Sequence, residues 1–248
     1  MKAPHWLLLV LAIGVGVSDG ADKDDQEARP SVPDVEQVLF SVRRTYDDSH
    51  WYANIGYYCD DHQQKAYSGN GASAEGRLVK LDLNTGKATV LLDAAGGSIR
   101  DPQVHYDGTK AVFSYLKAGT DHYHLYEIQL DGSGLRQLTD GPYDDYEPSY
   151  LPDGGIVFVS TRCRSWVACW MTQVGVLYRC NADGTNLRRL SFNTAHDNTP
   201  WILPDGRILY TRWEYVDRSQ VEFHHLWTMN PDGTNQMPFF GNMLPGIV

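Results

Sequence analysis

Asp101, Asp144, Asp145, Glu147, His196, Asp197 and Asn198 stand just before short apolar runs, at corresponding places in a repeated phrase. Carboxylates, an amide and an imidazole drawn from several repeats could share one ligand. Oxygen donors of this kind suit Ca²⁺ or another divalent cation, and they equally suit a polar small molecule or carbohydrate. The same acids can instead cap turns, or pair with Arg162 and Arg212 of the two Thr-Arg dipeptides. The histidines form a second set. His122 and His124 lie two apart in an alternating stretch and therefore share one strand face, and His224 and His225 open the matching stretch two repeats later. Converging imidazoles could bind a metal. Packed beside the neighbouring Tyr and Trp, they would be strand-edge residues only.

Four cysteines in an exported chain permit disulfides. Cys163 and Cys169 could close a small ring, Cys180 sits in an apolar strand as a buried thiol, and Cys59 lies far along the chain. With no C-x-x-C pair, a zinc site is not expected, and with no C-x-x-C-H there is no attachment site for haem c. The G-x-S-x-G elbow, the H-E-x-x-H helix and the phosphate loop G-x-x-x-x-G-K-[ST] are also absent. Asp144, Asp145 and Glu147 share one loop, whereas glycosidase carboxylates flank the scissile bond from separate elements.

These residues hang on a repeat. One series of phrases begins at Leu78, Leu125, Leu177 and Leu226, with spacings of 47, 52 and 49 residues. A second begins at Asp101, Glu147 and Thr199, spaced 46 and 52. Two series sharing one period define one unit of about 49 residues. Within it apolar residues alternate over short stretches punctuated by Asp-Gly, the signature of strands joined by tight hairpins. Four short antiparallel strands per unit predict an all-β fold, a β-propeller of four-stranded blades. About four blades fit into residues 37–248, the first interrupted by an insertion over 45–76, so an incomplete ring from a longer propeller is expected.

The unit x-[DET]-P-x-x-x-x-DG-x-x-[IV]-x-[FY]-x-[ST], followed by LY-x-x-x-x-DG-x-x-x-x-x-LT, resembles the WD-like repeat of TolB-type propellers over about residues 77–240. The phrases HWYANIGYY (50–58), RDPQVHYDG (100–108), HYHLYEI (122–128), STRCRSWVACW (160–170), YTRWEYVDR (210–218) and HHLWTMNPDGT (224–234) are similar to the propeller domain of hydrazine synthase alpha-subunit-like proteins. That resemblance implies a propeller and export, with any haem site outside this chain. Prolyl-oligopeptidase-type enzymes also carry a propeller, but their hydrolase domain would have to lie elsewhere.

Lys2 followed by the apolar run Trp6 to Val17 reads as a signal peptide over 1–20, being too short for a membrane span. Residues 21–36 are charged and proline-bearing, a flexible lead-in. Removing 1–20 deletes one Lys and one Asp, so the formal charge remains −10. That charge, without a basic run, excludes nucleic acid as a partner. No second membrane-length apolar run follows, and a periplasmic or secreted protein is expected. Trp51, Tyr52, Tyr57 and Tyr58 in the insertion, with Trp166, Trp170, Trp213 and Tyr215 after second strands, could anchor a protein or carbohydrate, or pack between blades. The expected function is a binding or scaffold module, with membership of a redox enzyme as the alternative.

Overall fold

The computed structural model describes residues 35–43, 75–169, 172–215 and 223–241. The expected signal peptide, nearly all of the lead-in, the aromatic cluster at 51–58, Cys59 and Trp170 lie outside the described residues.

The described chain forms four antiparallel meanders. Sheet 1 comprises β1 (Gln37–Val42), β2 (Glu75–Asp82) and β3 (Ala88–Ala95). Sheet 2 runs β4 (Ser98–Val104), β5 (Lys110–Leu116), β6 (His124–Gln129) and β7 (Arg136–Gln137). Sheet 3 runs β8 (Asp145–Tyr150), β9 (Ile156–Ser160), β10 (Val176–Cys180) and β11 (Arg188–Arg189). Sheet 4 runs β12 (Asp197–Ile202), β13 (Ile208–Trp213), β14 (His224–Met229) and β15 (Met237–Phe240). Strand β1 pairs with β2 in the place that β5, β9 and β13 hold in their sheets, as its phrase predicts. A first strand for sheet 1 does not fall among the described residues. No α-helix occurs among them either.

Each strand carries the residues its two faces require. In β9 the run Ile-Val-Phe-Val-Ser is buried throughout, because sheet 3 is covered on both sides. One core joins sheets 2, 3 and 4 through Val112, Leu125, Tyr146, Phe158, Leu177, Tyr210 and Met229. A second joins sheets 1 and 2 through Leu78, Ile99, Phe113, Tyr126 and Ile128. The first strands β4, β8 and β12 pack side by side, so residues at matching points of each first strand approach one another.

The Asp-Gly turns do two jobs. The aspartate side chain accepts the N–H two residues on, as in Asp107 to Thr109, Asp183 to Thr185 and Asp232 to Thr234. The glycine that follows takes positive φ, which a side chain disfavours. At Gly184 a second constraint applies: a Cβ would collide with the Leu138 carbonyl oxygen of the preceding sheet. A Cβ at Gly233 would likewise crowd the Leu190 carbonyl at 2.9 Å, and one at Gly132 would touch the Leu91 carbonyl at an ordinary 3.4 Å. The hairpin between third and fourth strands is thus where each sheet abuts the outer strand of the one before it.

Candidate functional site

Three first strands bulge at one point. The register slips between Arg100 and Gln103, between Tyr146 and Ser149, and between Asn198 and Trp201. Each slip contains a proline, Pro102, Pro148 or Pro200, which cannot donate to the ladder and so belongs at a bulge. The residues before these prolines, Asp101, Glu147 and Thr199, have φ of 54°, 52° and 50°. Proline disfavours the right-handed helical region for its predecessor, and these three take the left-handed one instead. The resulting twist links the sheets. The Glu147 N–H donates to Asp101 Oδ2 (3.3 Å), and the Thr199 N–H to Glu147 Oε2 (2.6 Å). Arg100, its side chain buried, donates to Asp101 Oδ2 and reaches Glu147 Oε1 at 3.3 Å.

This relay contains a carboxyl that titrates near neutrality. Burial, reinforced by the Asp101 charge, pushes Glu147 up to about 7, against the opposing charge of Arg100 and the Thr199 N–H. Chemically such a group can exchange a proton at neutral pH. Arg100 was not among the residues singled out from sequence, although its place before Asp-Pro was visible. Its partner in the next sheet depends on how the sheets stack.

The remaining acids of the set are sunk into the blades. Asp145 is fully buried, accepting from Arg162 Nε (3.2 Å) and Nη2 (2.7 Å) and from Ser160 Oγ (2.6 Å). Asp197, equally buried, holds Arg212 through Nε (2.8 Å) and Nη2 (3.1 Å). These are the two arginine pairs that the Thr-Arg dipeptides suggest. Asp144 accepts the Tyr123 N–H at 2.8 Å, and at the corresponding point one sheet later His196 Nδ1 accepts the Gly175 N–H at 3.0 Å. An acid and a histidine thus do the same structural job, satisfying a backbone donor that precedes the third strand. Burial drives the His196 pKa down to about 3, so the ring is neutral. Asn198 is buried beside Asp197 in β12. Asn193, unremarked in the sequence, ties this corner together by donating to the His196 and Trp213 carbonyls and to Asp197 Oδ1.

The histidines do not converge as a set. His122 Nδ1 lies 3.7 Å from Asp144 Oδ2, and His124 Nδ1 lies 3.6 Å from Asp145 Oδ2. Burial works against a charged His122, yet the hydrogen bond and charge of Asp144 outweigh it and raise its pKa. His224 stacks on Trp213 with centroids 5.3 Å apart, and buried His225 points Nδ1 toward Glu214 Oε2 at 3.5 Å. Sheet 3 separates the first pair from the second. No group of three His, Cys, Asp or Glu side chains among the described residues is arranged to hold a metal ion.

Cys163 and Cys180 are free thiols in the structure. Cys163 Sγ faces the Val174 carbonyl at 3.1 Å, whereas Cys169 faces Tyr215. Cys180 is buried, as its strand position implies, and desolvation pushes its thiol up to about 12. Trp213, expected in a loop either as a binding anchor or packed between blades, closes β13 and is buried between His196 and His224, so it belongs to the core. Tyr215 packs edge-on against it. Trp166 remains exposed.

No protein-family model matches the chain. The hydrazine synthase alpha subunit of Kuenenia stuttgartiensis is 24% identical over an alignment covering 67% of this chain and 27% of that protein. The chain therefore spans about a quarter of the length of this curated relative. The solved Kuenenia stuttgartiensis hydrazine synthase superposes with a TM-score of 0.63 at 22% identity, covering 84% of this chain and 32% of that one. TolB from Acinetobacter baumannii gives 0.50 at 17% identity, covering 66% and 37%. The fold is a β-propeller. The likeness to hydrazine synthase that the repeated phrases imply is present in sequence and in structure, and the likeness to TolB-type propellers is present in structure.

Proposed function

We propose that this propeller is an exported binding or scaffold module that acts by docking a protein. One observation carries the reading: the side chains able to do chemistry are engaged in building the blades, while large apolar side chains stand in solvent. Asp144, Asp145, His196 and Asp197 are wholly buried in hydrogen bonds or ion pairs. Phe192 is 74% exposed, Phe240 57%, Trp201 55% and Phe239 52%. Exposed aromatics of this size mark interaction surfaces. Similarity to TolB-type propellers supports the same reading. No helix among the described residues is long and apolar enough to cross a membrane. The signal-peptide pattern of residues 1–20 supports a periplasmic or secreted site of action.

The second reading is a piece of a redox assembly, supported by the likeness to the hydrazine synthase alpha subunit. Two experiments separate the readings. A photo-crosslinking residue at position 201, in cells that make the protein, should trap a discrete protein adduct; no adduct would overturn the docking role. An absorbance scan of the purified protein should lack a Soret band, whose presence would favour the redox assembly.

A further inference from the structure

The connection from β9 to β10, residues 161–175, is longer than its counterpart 117–123 in sheet 2, and the extra length folds into a short hairpin. Its two arms pair through the Val167 N–H to the Thr172 carbonyl (2.9 Å), the Val174 N–H to the Ser165 carbonyl (2.8 Å) and a bridge between Trp166 and Gln173. Val167 and Val174 are buried and seal its base. The Thr161 and Gly175 N–H groups anchor the two ends, donating to the Asp144 carbonyl and to His196 Nδ1 at 3.0 Å each. The hairpin is thus held between the loops that lead into β8 and β12, and Trp166 on it stands 42% exposed.

At the root of this hairpin stands an arginine that the fold does not require. Arg164 closes the 3-10 turn Thr161–Cys163 with φ 53° and ψ 37°, a left-handed conformation that glycine would take at lower cost. Its guanidinium lies over the Tyr143 ring, with Cζ 5.3 Å from the centroid, and Nη2 donates to the Tyr143 hydroxyl at 2.6 Å. Arg162 covers the same ring at 4.8 Å but holds buried Asp145. Arg77, Arg100, Arg136, Arg179, Arg207 and Arg212 each hold a carboxylate as well. Arg164 holds none among the described residues, although the chain has 31 acidic side chains against 21 basic ones. The next loop repeats the pairing. Arg189, likewise without a carboxylate among the described residues, places Cζ 4.5 Å from the centroid of Phe192, which is 74% exposed.

From this surface we infer that the sheet 3 hairpin, with Tyr143 and Phe192 beside it, docks an acidic segment of a partner protein, one carboxylate seated on Arg164 and apolar side chains against Trp166. The Tyr143 ring fixes the guanidinium plane, and a carboxylate accepts two parallel N–H groups from such a fork. An arginine held in place before binding loses less freedom when the partner arrives. A polyanion or an anionic membrane binds through many cations at once, and the net charge of −10 repels both, so a protein segment fits this surface better. The inference rests on the docking role proposed above and names the chemistry of the partner.

Panning a displayed library of short random peptides on the full chain tests it. Sequences enriched on the parent should combine Asp or Glu with Leu, Phe or Trp, and the strongest is then labelled and titrated by fluorescence anisotropy. Its Kd should rise about tenfold or more in Arg164→Gly, in Trp166→Ser, and when the acid of the peptide is replaced by its amide. Arg164→Gly should keep or raise the melting temperature, because glycine relieves the left-handed position, so the lost binding does not reflect lost folding. No enrichment, enriched sequences without acids, or a peptide that binds Arg164→Gly as tightly as the parent would each overturn the inference. So would binding of the parent to vesicles of anionic phospholipid that Arg164→Gly abolishes, since the surface would then face a membrane. Failure here with a protein adduct still trapped at position 201 would overturn this surface and leave the docking role standing.

Discussion

A carboxylate removed from water is stable only where opposite charge and hydrogen bonds replace the lost solvent. Asp145 and Asp197 meet that condition with a two-pronged arginine each. Asp145→Ala leaves Arg162, whose side chain is 16% exposed, without its counter-charge. Urea unfolding should show a loss of about 3 kcal/mol, and a loss under about 1 kcal/mol would mean that the pair adds little beyond a surface bridge. Glu147 and His196 impose opposite pH dependences. The Glu147 pKa is raised from 4.5 to about 7, so between those values the folded protein keeps a proton that the unfolded chain releases. Its contribution to stability therefore falls as pH rises through that window. Glu147→Gln should gain on the parent from pH 4.5 to 7, and a difference flat with pH would refute the shift. His196, lowered from 6.5 to about 3, contributes fully above 6.5 and loses that contribution as the pH falls toward 3.

At the scale of elements, the hairpin glycines separate two constraints that sequence alone shows as one Asp-Gly pair. Gly154 and Gly184 have φ of 83° and 86°, but a Cβ at Gly154 meets nothing within 4 Å, whereas one at Gly184 strikes the Leu138 carbonyl. Gly154→Ala should cost about 1 kcal/mol, the price of the left-handed conformation. Gly184→Ala should cost at least twice that in the same unfolding assay, and equal losses would show that the sheets do not need this close approach. The bulges teach the same lesson. Proline before an apolar pair is legible as a break in a ladder, but the positive φ of Asp101, Glu147 and Thr199 follows from neighbouring sheets exchanging N–H and carboxylate groups.

Across the whole molecule, the acids that looked like a shared ligand site are divided between inter-sheet joints, at Asp101, Asp144 and Glu147, and ion pairs within one sheet, at Asp145 and Asp197. Each of Asp101, Asp144, Asp145, Glu147 and Asp197 already receives N–H or guanidinium donors. Adding a chelator should therefore leave the melting temperature unchanged; a clear fall would show that a cation is held after all. Leu125, Leu177 and Leu226 open the same phrase, but only the first two are sealed by a following sheet.

By itself the sequence determined the period, the four-strand unit, the Asp-Gly hairpins and the propeller fold, because these depend on local turn chemistry and on alternation within one strand. It also offered pairing of the acids with Arg162 and Arg212, without saying which acid meets which arginine, as an alternative to a shared ligand. Only the tertiary structure decided between readings, sinking the acids into ion pairs, moving Trp213 into the core and keeping the two histidine pairs apart. Burial and electrostatics depend on what the neighbouring sheet places across a gap of some 50 residues, and no local pattern carries that distance.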